Sequence, residues 1–293
     1  MRIGVSFPQS EVGADVSGIR AYAQAIEEMG YTHVTCGEHV IGVDTHQPGF
    51  VPRRGQPKDL RDIAYPYQEP LTFFAFVAGI TSKIEFLSSV LILPQRQAVL
   101  VAKQAAQVDN VSGGRLRLGI GSGWSEYEYE ALGMDFHTRG RRMEEQIALL
   151  RALWTQRTVT FDGKWNSIRA TGINPLPTQR PIPIWFGVGT NERPLRRAAR
   201  LGDGVMLTPG NPTGPTLFRR WVAEAGRDPD KVSISMNLNL NTHTLEEAAA
   251  LTKEHAAAGY SHLIVYTTDL GFKGLDQHID KLAKYKAAVG KLQ

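Results

Sequence analysis

The feature that most constrains the fold is an eightfold alternation of short apolar runs with longer amphipathic stretches. The apolar runs are continuous and rich in β-branched residues, which is typical of strands buried on both faces. They occupy residues 2–7, 32–36, 84–90, 116–120, 182–186, 204–207, 232–240 and 262–266. The helical stretches occupy residues 15–29, 70–81, 98–111, 139–154, 193–201, 215–225, 245–258 and 275–289. Eight strands that are each followed by a helix predict an α/β fold, a closed (β/α)8 TIM barrel. A doubly wound open sheet is the alternative.

Two segments interrupt the alternation. Residues 40–69 follow strand 2 and contain four prolines, and a loop of this length is usually functional or disordered. We interpret it as a lid or wall over a substrate, with disorder as the alternative. Residues 158–169 contain Asp162-Gly163 between two β-rich runs, which predicts a small hairpin inserted before strand 5.

Composition limits the class of protein. The 293 residues form a length that one α/β barrel can occupy, so a single domain over residues 1–293 is expected. The net charge of +4 comes from scattered basic residues rather than a dense stripe, which argues against nucleic-acid binding. No apolar run is long enough for a membrane span, and the first residues lack the pattern of a signal peptide. The single cysteine, Cys36, fits a reducing cytoplasm.

Unusual residues mark the ends of strands 2 and 3, where the active sites of barrel enzymes lie. Strand 2 ends in Glu38-His39, an ionisable pair that can transfer a proton or bind a ligand; a histidine packed under the long loop is the alternative. Strand 3 contains Ser88 and Ser89 inside an apolar run. Small residues there indicate a bulge or the close approach of a flat ligand, with tight barrel packing as the alternative.

Glycines mark the ends of strands 4 and 5. The run from Gly119 to Trp124 imitates a dinucleotide fingerprint, but Trp124 stands where glycine or alanine is required, so we reject that interpretation. On a barrel, such a loop can present backbone N–H groups to a ligand, with Trp124 as a wall. After strand 5, residues 187–191 lead into a helix and predict an anion site, with an ordinary capped helix as the alternative. The sequence contains no Gly-x-Ser-x-Gly elbow, Walker motif, His-Glu-x-x-His or Cys-x-x-Cys, so no metal site is indicated.

The stretch of residues 87–124, LSSVLILPQRQAVLVAKQAAQVDNVSGGRLRLGIGSGW, resembles the bacterial-luciferase-like superfamily. The resemblance is strongest to the branch that includes deazaflavin (coenzyme F420)-dependent oxidoreductases. Further matches are residues 37–40 after strand 2, residues 131–133, and residues 187–189 followed by residues 198–204. These matches cover essentially the whole chain in the right order, and together they are fairly specific.

The resemblance implies a (β/α)8 barrel, usually a homodimer, that binds a flavin-type ring at its C-terminal mouth. Residues that match the cofactor site are Ser89 and Val90 in a strand-3 bulge, often with a non-prolyl cis peptide, then Gly121, Ser122, Gly123 and Trp124 beside the ring, and Gly187, Val188, Gly189 and Thr190 in the phosphate turn. His39 matches the histidine near the reactive part of the ring. Some deazaflavin-dependent sugar dehydrogenases have a glutamate where this chain has Trp124, so sugar-phosphate oxidation is not expected.

The resemblance therefore implies an enzyme with a small organic substrate. The leading hypothesis is hydride transfer between reduced coenzyme F420 and that substrate, with Glu38 and His39 orienting the site or handling the proton. The alternatives are an FMN-dependent monooxygenase that uses molecular oxygen, and a non-catalytic flavin-binding barrel.

Overall fold

The strands close into a parallel barrel, as the alternation predicts. The computed structural model describes residues 1–13, 15–51, 53, 62–211 and 213–291. The strands are β1 (Arg2–Ser6), β2 (His33–Cys36), β3 (Glu85–Ser88), β4 (Leu91–Ile92), β5 (Leu116–Gly121), β8 (Ile184–Val188), β9 (Gly204–Leu207), β10 (Ser233–Asn239) and β11 (His262–Tyr266), with β6 (Val159–Asp162) and β7 (Ser167–Thr171) forming a separate hairpin. The barrel order is β3-β2-β1-β11-β10-β9-β8-β5, and β3 pairs with β5 to complete the ring. The open-sheet alternative is thereby excluded.

Helices cover the outside of the barrel. They are α1 (Gln9–Val12), α2 (Val16–Glu28), α3 (Pro70–Ala78), α4 (Ala98–Ser112), α5 (Glu126–Ala131), α6 (Arg139–Thr155), α7 (Glu192–Leu201), α8 (Gly214–Glu224), α9 (Leu245–Ala257) and α10 (Leu275–Gly290). All eight predicted helices are present, and the short helices α1 and α5 are additional. Among the described residues, no helix is long and apolar enough to cross a membrane.

The third barrel strand is broken, although the sequence predicted one strand over residues 84–90. Leu87 pairs with Arg117 and Leu91 pairs with Ile120, so three residues of this strand lie opposite two residues of β5. The hydroxyl of Ser88 replaces the missing strand pairing, because it donates to the carbonyl of Gly119 and accepts from its amide at 2.8 and 2.9 Å. The two serines therefore mark a bulge, one of the two interpretations suggested by the sequence.

Side chains fill the N-terminal half of the barrel. Trp185, His33 and His262 pack together there, with the rings of Trp185 and His262 perpendicular at 4.8 Å between centroids. Below them Glu85 accepts hydrogen bonds from both Arg2 and Arg117. The barrel is thus closed at this end and open only at the ends of its strands.

Both insertions are described in part or in full. β6 and β7 form the predicted hairpin, and Glu145 of α6 holds its turn by accepting the backbone amides of Lys164, Trp165 and Asn166. Within residues 40–69, Val43 and Asp62 form an isolated β-bridge. The remainder of the predicted lid includes residues 52 and 54–61, which lie outside the described residues.

Candidate functional site

A cavity of about 560 Å³ opens at the C-terminal mouth of the barrel. Ten residues predicted from the sequence line it: Glu38, His39, Ser89, Val90, Gly121, Ser122, Gly123, Trp124, Gly187 and Gly189. Tyr65 and Tyr67 of the long loop contribute to the wall. The loop after strand 2 therefore borders the cavity, as expected of a wall over a substrate. The other lining residues lie at or just after the C-terminal ends of the barrel strands β1, β2, β3, β5, β8 and β11.

The floor of the cavity is a flat surface of backbone and one apolar side chain. The peptide bond between Ser89 and Val90 is cis, which the resemblance predicted. The Val90 side chain lies between two glycines, since a Cβ at Gly121 or Gly187 would lie 2.5 or 2.2 Å from its methyl groups. Glycine is therefore required at both positions, and the resulting surface suits a planar ring.

Uncharged polar groups surround this floor. Gln9 of α1 donates to the carbonyl of Gly37 at 3.0 Å and accepts from the amide of Gln68 at 3.0 Å, which ties the long loop to strand 1. Tyr266 lies at the end of β11, and burial raises the pKa of its phenol. It therefore remains an O–H donor at neutral pH. These groups can bind the heteroatoms of a ring that itself carries no charge.

His39 is oriented by Glu128, a residue that the sequence interpretation missed. Nδ1 of His39 lies 3.0 Å from Oε2 of Glu128, and Oε1 of the same carboxylate accepts the amide of Val40 at 2.8 Å. The Glu128 side chain is almost completely buried, with 1% of its surface exposed. Because a carboxylate only accepts, the hydrogen of the neutral imidazole is on Nδ1, and Nε2 is left as a hydrogen-bond acceptor.

Two aromatic rings complete the surroundings of His39. The ring centroids of Tyr67 and Trp124 lie 4.8 and 5.5 Å from the centroid of the imidazole, and both contacts are edge-on. Trp124 is thus a wall of the cavity, as predicted. Contacts on both sides restrict rotation of the imidazole, so His39 combines a fixed orientation with a single tautomer.

Glu38 makes structural contacts within the protein. Its Oε2 accepts the amide of Ile92 at 2.7 Å, and its Oε1 accepts two hydrogen bonds from Arg96 at 2.8 and 2.5 Å. Burial raises the pKa of this carboxyl group, and the neighbouring Arg96 opposes that shift. With both oxygens engaged, the geometry favours a positioning role for Glu38, and proton transfer by Glu38 stays a prediction.

The loop after β5 is held close to strand 3. The hydroxyl of Tyr129 donates to the carbonyl of Ser122 at 2.9 Å. Gly123 has a φ of +63°, and a Cβ there would lie 2.7 Å from Ile92. Glycine is therefore required by both conformation and space. The loop presents its backbone to the cavity, as the sequence predicted.

The predicted phosphate turn is only partly directed at the cavity. Gly187 and Gly189 line the cavity, whereas the side chain of Val188 packs into the core between barrel and helices. Thr190 is exposed and is not part of the cavity wall. Contacts of Val188 and Thr190 with a cofactor stay predictions, and for Val188 they would involve the backbone. α7 begins directly after this turn, and its N-cap residue Asn191 makes no side-chain capping bond.

Two residues of the site, Glu128 and Gln9, were not predicted from the sequence. Ser125-x-x-Glu128 is a capping-box pattern, and Ser125 does cap α5. The Glu128 side chain, however, turns to His39 instead of the N-terminus of its own helix. Gln9 follows strand 1 within a polar segment that carries no motif. Among the described residues, no group of three His, Cys, Asp or Glu side chains is placed to hold a metal ion.

Comparisons with known proteins agree with this architecture. The family model described as luciferase-like monooxygenase matches residues 1–289. The uncharacterized protein Rv0940c of Mycobacterium tuberculosis is 34% identical over 207 residues, which cover 70% of each chain. The FMNH(2)-dependent dimethylsulfone monooxygenase of Pseudomonas putida is 33% identical over 146 residues, 49% of this chain and 40% of that protein. The structure of an F420-dependent secondary alcohol dehydrogenase in complex with an F420-acetone adduct is similar with a TM-score of 0.74, at 17% identity and with 98% of both chains covered.

Proposed function

Because the chain belongs to the luciferase-like monooxygenase family of enzymes, we propose that it is an oxidoreductase that transfers a hydride between reduced coenzyme F420 and a small organic substrate. The observation that carries the proposal is the pairing of a flat, glycine-lined floor with an oriented imidazole in one cavity. The floor would hold the deazaflavin ring, and the imidazole would handle the proton that accompanies the hydride.

The residues of the site fit such a ring. Val90 and the backbone at Gly121 and Gly187 form an apolar surface without projecting side chains. Ser122 and Tyr266 place uncharged hydroxyl groups at its edge. Gly189 and the start of α7 would lie near the phosphate of the cofactor, since the N–H groups of a helix N-terminus favour an anion. When bound, the deazaflavin supplies a carbon that accepts or donates a hydride.

The chain's own chemistry then centres on His39. In the oxidation direction, Nε2 of the neutral imidazole accepts the proton of a substrate hydroxyl as the hydride leaves the adjacent carbon. Glu128 stabilises the resulting imidazolium through Nδ1–H. In the reverse direction, the same nitrogen returns the proton to the carbonyl oxygen. Tyr67 and Trp124 flank the imidazole of His39 and would limit the access of water to it.

A titration tests the proposed cofactor. Purified protein should quench the fluorescence of coenzyme F420 with saturation, and Gly187→Val should abolish that binding because its side chain would occupy the position of the Val90 methyl. Gly290→Ala, at the exposed end of α10, where φ is not positive and a Cβ meets nothing within 4 Å, controls for the loss of a glycine. Tight FMN binding without F420 binding would overturn the proposal.

FMN-dependent monooxygenation is the second candidate. It is supported by the 33% identity with the FMNH(2)-dependent dimethylsulfone monooxygenase, whereas the deazaflavin enzyme is similar at 17% identity only. The two candidates differ in oxygen consumption, which an oxygen electrode measures with either reduced cofactor. Cofactor binding without turnover of any compound in a substrate panel would favour a non-catalytic flavin-binding barrel.

The proposal extends to assembly and location. On the resemblance alone, we propose a homodimer, which sedimentation at several protein concentrations would detect. The cytoplasm is the proposed location, since Cys36 is a buried free thiol and burial raises its pKa. A thiol of this kind needs no oxidising compartment.

A further inference from the structure

A second cavity of about 520 Å³ adjoins the cavity at the barrel mouth. Glu38, His39 and Tyr67 line both this cavity and the one at the barrel mouth. The second cavity, called the side cavity below, extends from this shared wall toward the first turns of α4. A molecule that reacts beside His39 could therefore place its distal part in the side cavity.

The side cavity contains a buried amide that lacks hydrogen-bond partners. Gln95 is 2% exposed and lines the cavity, and neither Oε1 nor Nε2 has a partner among the described residues. Gln9, at the neighbouring cavity, has both ends of its amide engaged. Because an unpaired buried amide is costly, a ligand that pairs with both its donor and its acceptor would be favoured.

The charges in the side cavity disfavour an anionic ligand. Its one arginine, Arg96, is already paired with the carboxylates of Glu38 and Glu69, at 2.5 and 3.0 Å. Three ionised groups of this kind leave one net negative charge. One further buried oxygen, Oε1 of Gln104, has no hydrogen-bond partner among the described residues. The site therefore favours a ligand that brings N–H donors and no carboxylate.

Part of the lining is apolar. It comes from Leu100, Val101, Leu132 and Met134. A ligand that bears only polar groups would leave this surface in contact with water. An amide attached to a hydrocarbon segment satisfies both sides.

We propose that the side cavity is a substrate subsite, which binds an uncharged amide carried on an apolar segment by pairing its N–H and C=O with Gln95. The inference rests on the proposed function in one respect, namely that the reacting end of the same molecule lies beside His39. It assigns the substrates of this enzyme to a class, apolar molecules with a carboxamide or lactam group remote from the oxidised or reduced carbon.

Two matched probes test the subsite. N-benzylacetamide and benzyl acetate differ by one N–H, and calorimetry or ligand-observed NMR gives the dissociation constant of each. Wild-type protein should prefer the amide at least about tenfold, because a site built to pair with an N–H discriminates strongly against its isostere. Gln95→Met should reduce the ratio to about one while the ester binds at least as well. Gln97→Met, an exposed amide at the rim of the same cavity, should keep the wild-type ratio.

Retained ester binding shows that Gln95→Met is folded at the site. A second variant, Leu100→Trp, fills the cavity from a half-exposed position and should block both probes. Equal affinity for the two probes in wild-type protein, or an unchanged ratio in Gln95→Met, overturns the proposal. So does failure of both probes to bind wild-type protein together with dissociation of a dimer in Leu100→Trp, because a second copy would then fill the cavity.

The proposed function is tested separately. Quenching of F420 fluorescence does not depend on Gln95, so absence of F420 binding with an intact amide preference refutes F420-dependent hydride transfer and leaves the subsite. F420 binding without an amide preference refutes the subsite alone.

Discussion

Glu128 and His39 are joined by a hydrogen bond of 3.0 Å across 89 positions of the sequence, from Nδ1 of the imidazole to Oε2 of the carboxylate. The other oxygen of Glu128 holds the amide of the next residue, Val40. One buried carboxylate thus fixes the imidazole and the backbone that carries it. This arrangement connects α5 to the end of β2.

Glu128→Gln should change the imidazole without removing it. An amide can present its NH2 to Nδ1, which would place the ring hydrogen on Nε2 in part of the molecules. Imidazole 15N spectra should show one Nδ1–H tautomer in wild-type protein and a mixture in the variant. Turnover should fall roughly 10- to 100-fold, with cofactor affinity nearly unchanged. The control is Glu130→Gln, at an exposed position of the same helix, which should show the wild-type spectrum. A wild-type spectrum for Glu128→Gln would contradict the role of Glu128 in orienting His39.

Replacement of Glu38 and His39 should separate stability from catalysis. Glu38→Ala leaves Arg96 without its buried partner and should lower the free energy of unfolding by about 3–5 kcal/mol. His39→Ala should reduce turnover far more than stability. Urea unfolding and steady-state rates measure the two effects. Unchanged turnover in His39→Ala would remove the proposed proton-transfer role.

The Val90 floor can be tested by a double-mutant cycle. Gly187→Ala places a methyl group 2.2 Å from a Val90 methyl and should lower the free energy of unfolding by about 1–3 kcal/mol. Combination with Val90→Ala should restore most of that loss, because the clashing methyl is gone. Gly189→Ala, where a Cβ meets nothing within 4 Å, should change stability by less than about 0.5 kcal/mol. Additive effects of the two substitutions would show that the contact does not limit stability.

Two histidines in the closed end of the barrel should make the protein sensitive to acid. Burial, and then Arg117 and Arg2, lower the pKa of His262 to about 3, and burial with the neighbouring His262 lowers that of His33 well below its usual range. Both are neutral when folded and take up a proton near pH 6.5 when unfolded. Stability is therefore fully present above about pH 6.5 and is lost as the pH falls toward 3.

The pH effect is measured by urea unfolding at pH 7.5 and 5.0. Each depressed histidine contributes up to about 2 kcal/mol of loss over this interval. His262→Gln should show a smaller loss than wild-type protein. His46→Gln should show the same loss as wild-type protein, since the His46 side chain is 88% exposed. Equal losses in wild-type protein and His262→Gln would contradict the role of the closed end.

The barrel could be predicted from sequence because each strand is a continuous apolar run and each helix has its own periodicity. The hairpin was equally predictable, since Asp162-Gly163 is a local turn signal. Two serines indicated the bulge in strand 3, but the apolar run led to Ser89 and Val90 being assigned to the strand. In the structure the hydroxyl of Ser88 replaces a backbone pairing there. Local patterns contain no information about such a substitution.

The candidate site was predictable where residues follow strands, as at His39 and Gly121. Glu128 was missed because its capping position explains its presence without any partner in another element. The side-chain direction of Val188 follows from the alternation over residues 187–189, in which Gly187 and Gly189 face inward. A motif match over four consecutive residues cannot place all four side chains on one face.

The closed end of the barrel has a kinetic consequence. The N-terminal end is filled by Trp185, the two histidines and the ion pairs of Glu85. Small molecules therefore reach the Val90 floor through the mouth. A planar ring on that floor must arrive before any molecule that binds above it, and it must depart last. Product inhibition should therefore show the pattern of a compulsory-order mechanism, in which the ligand on the floor binds first and leaves last.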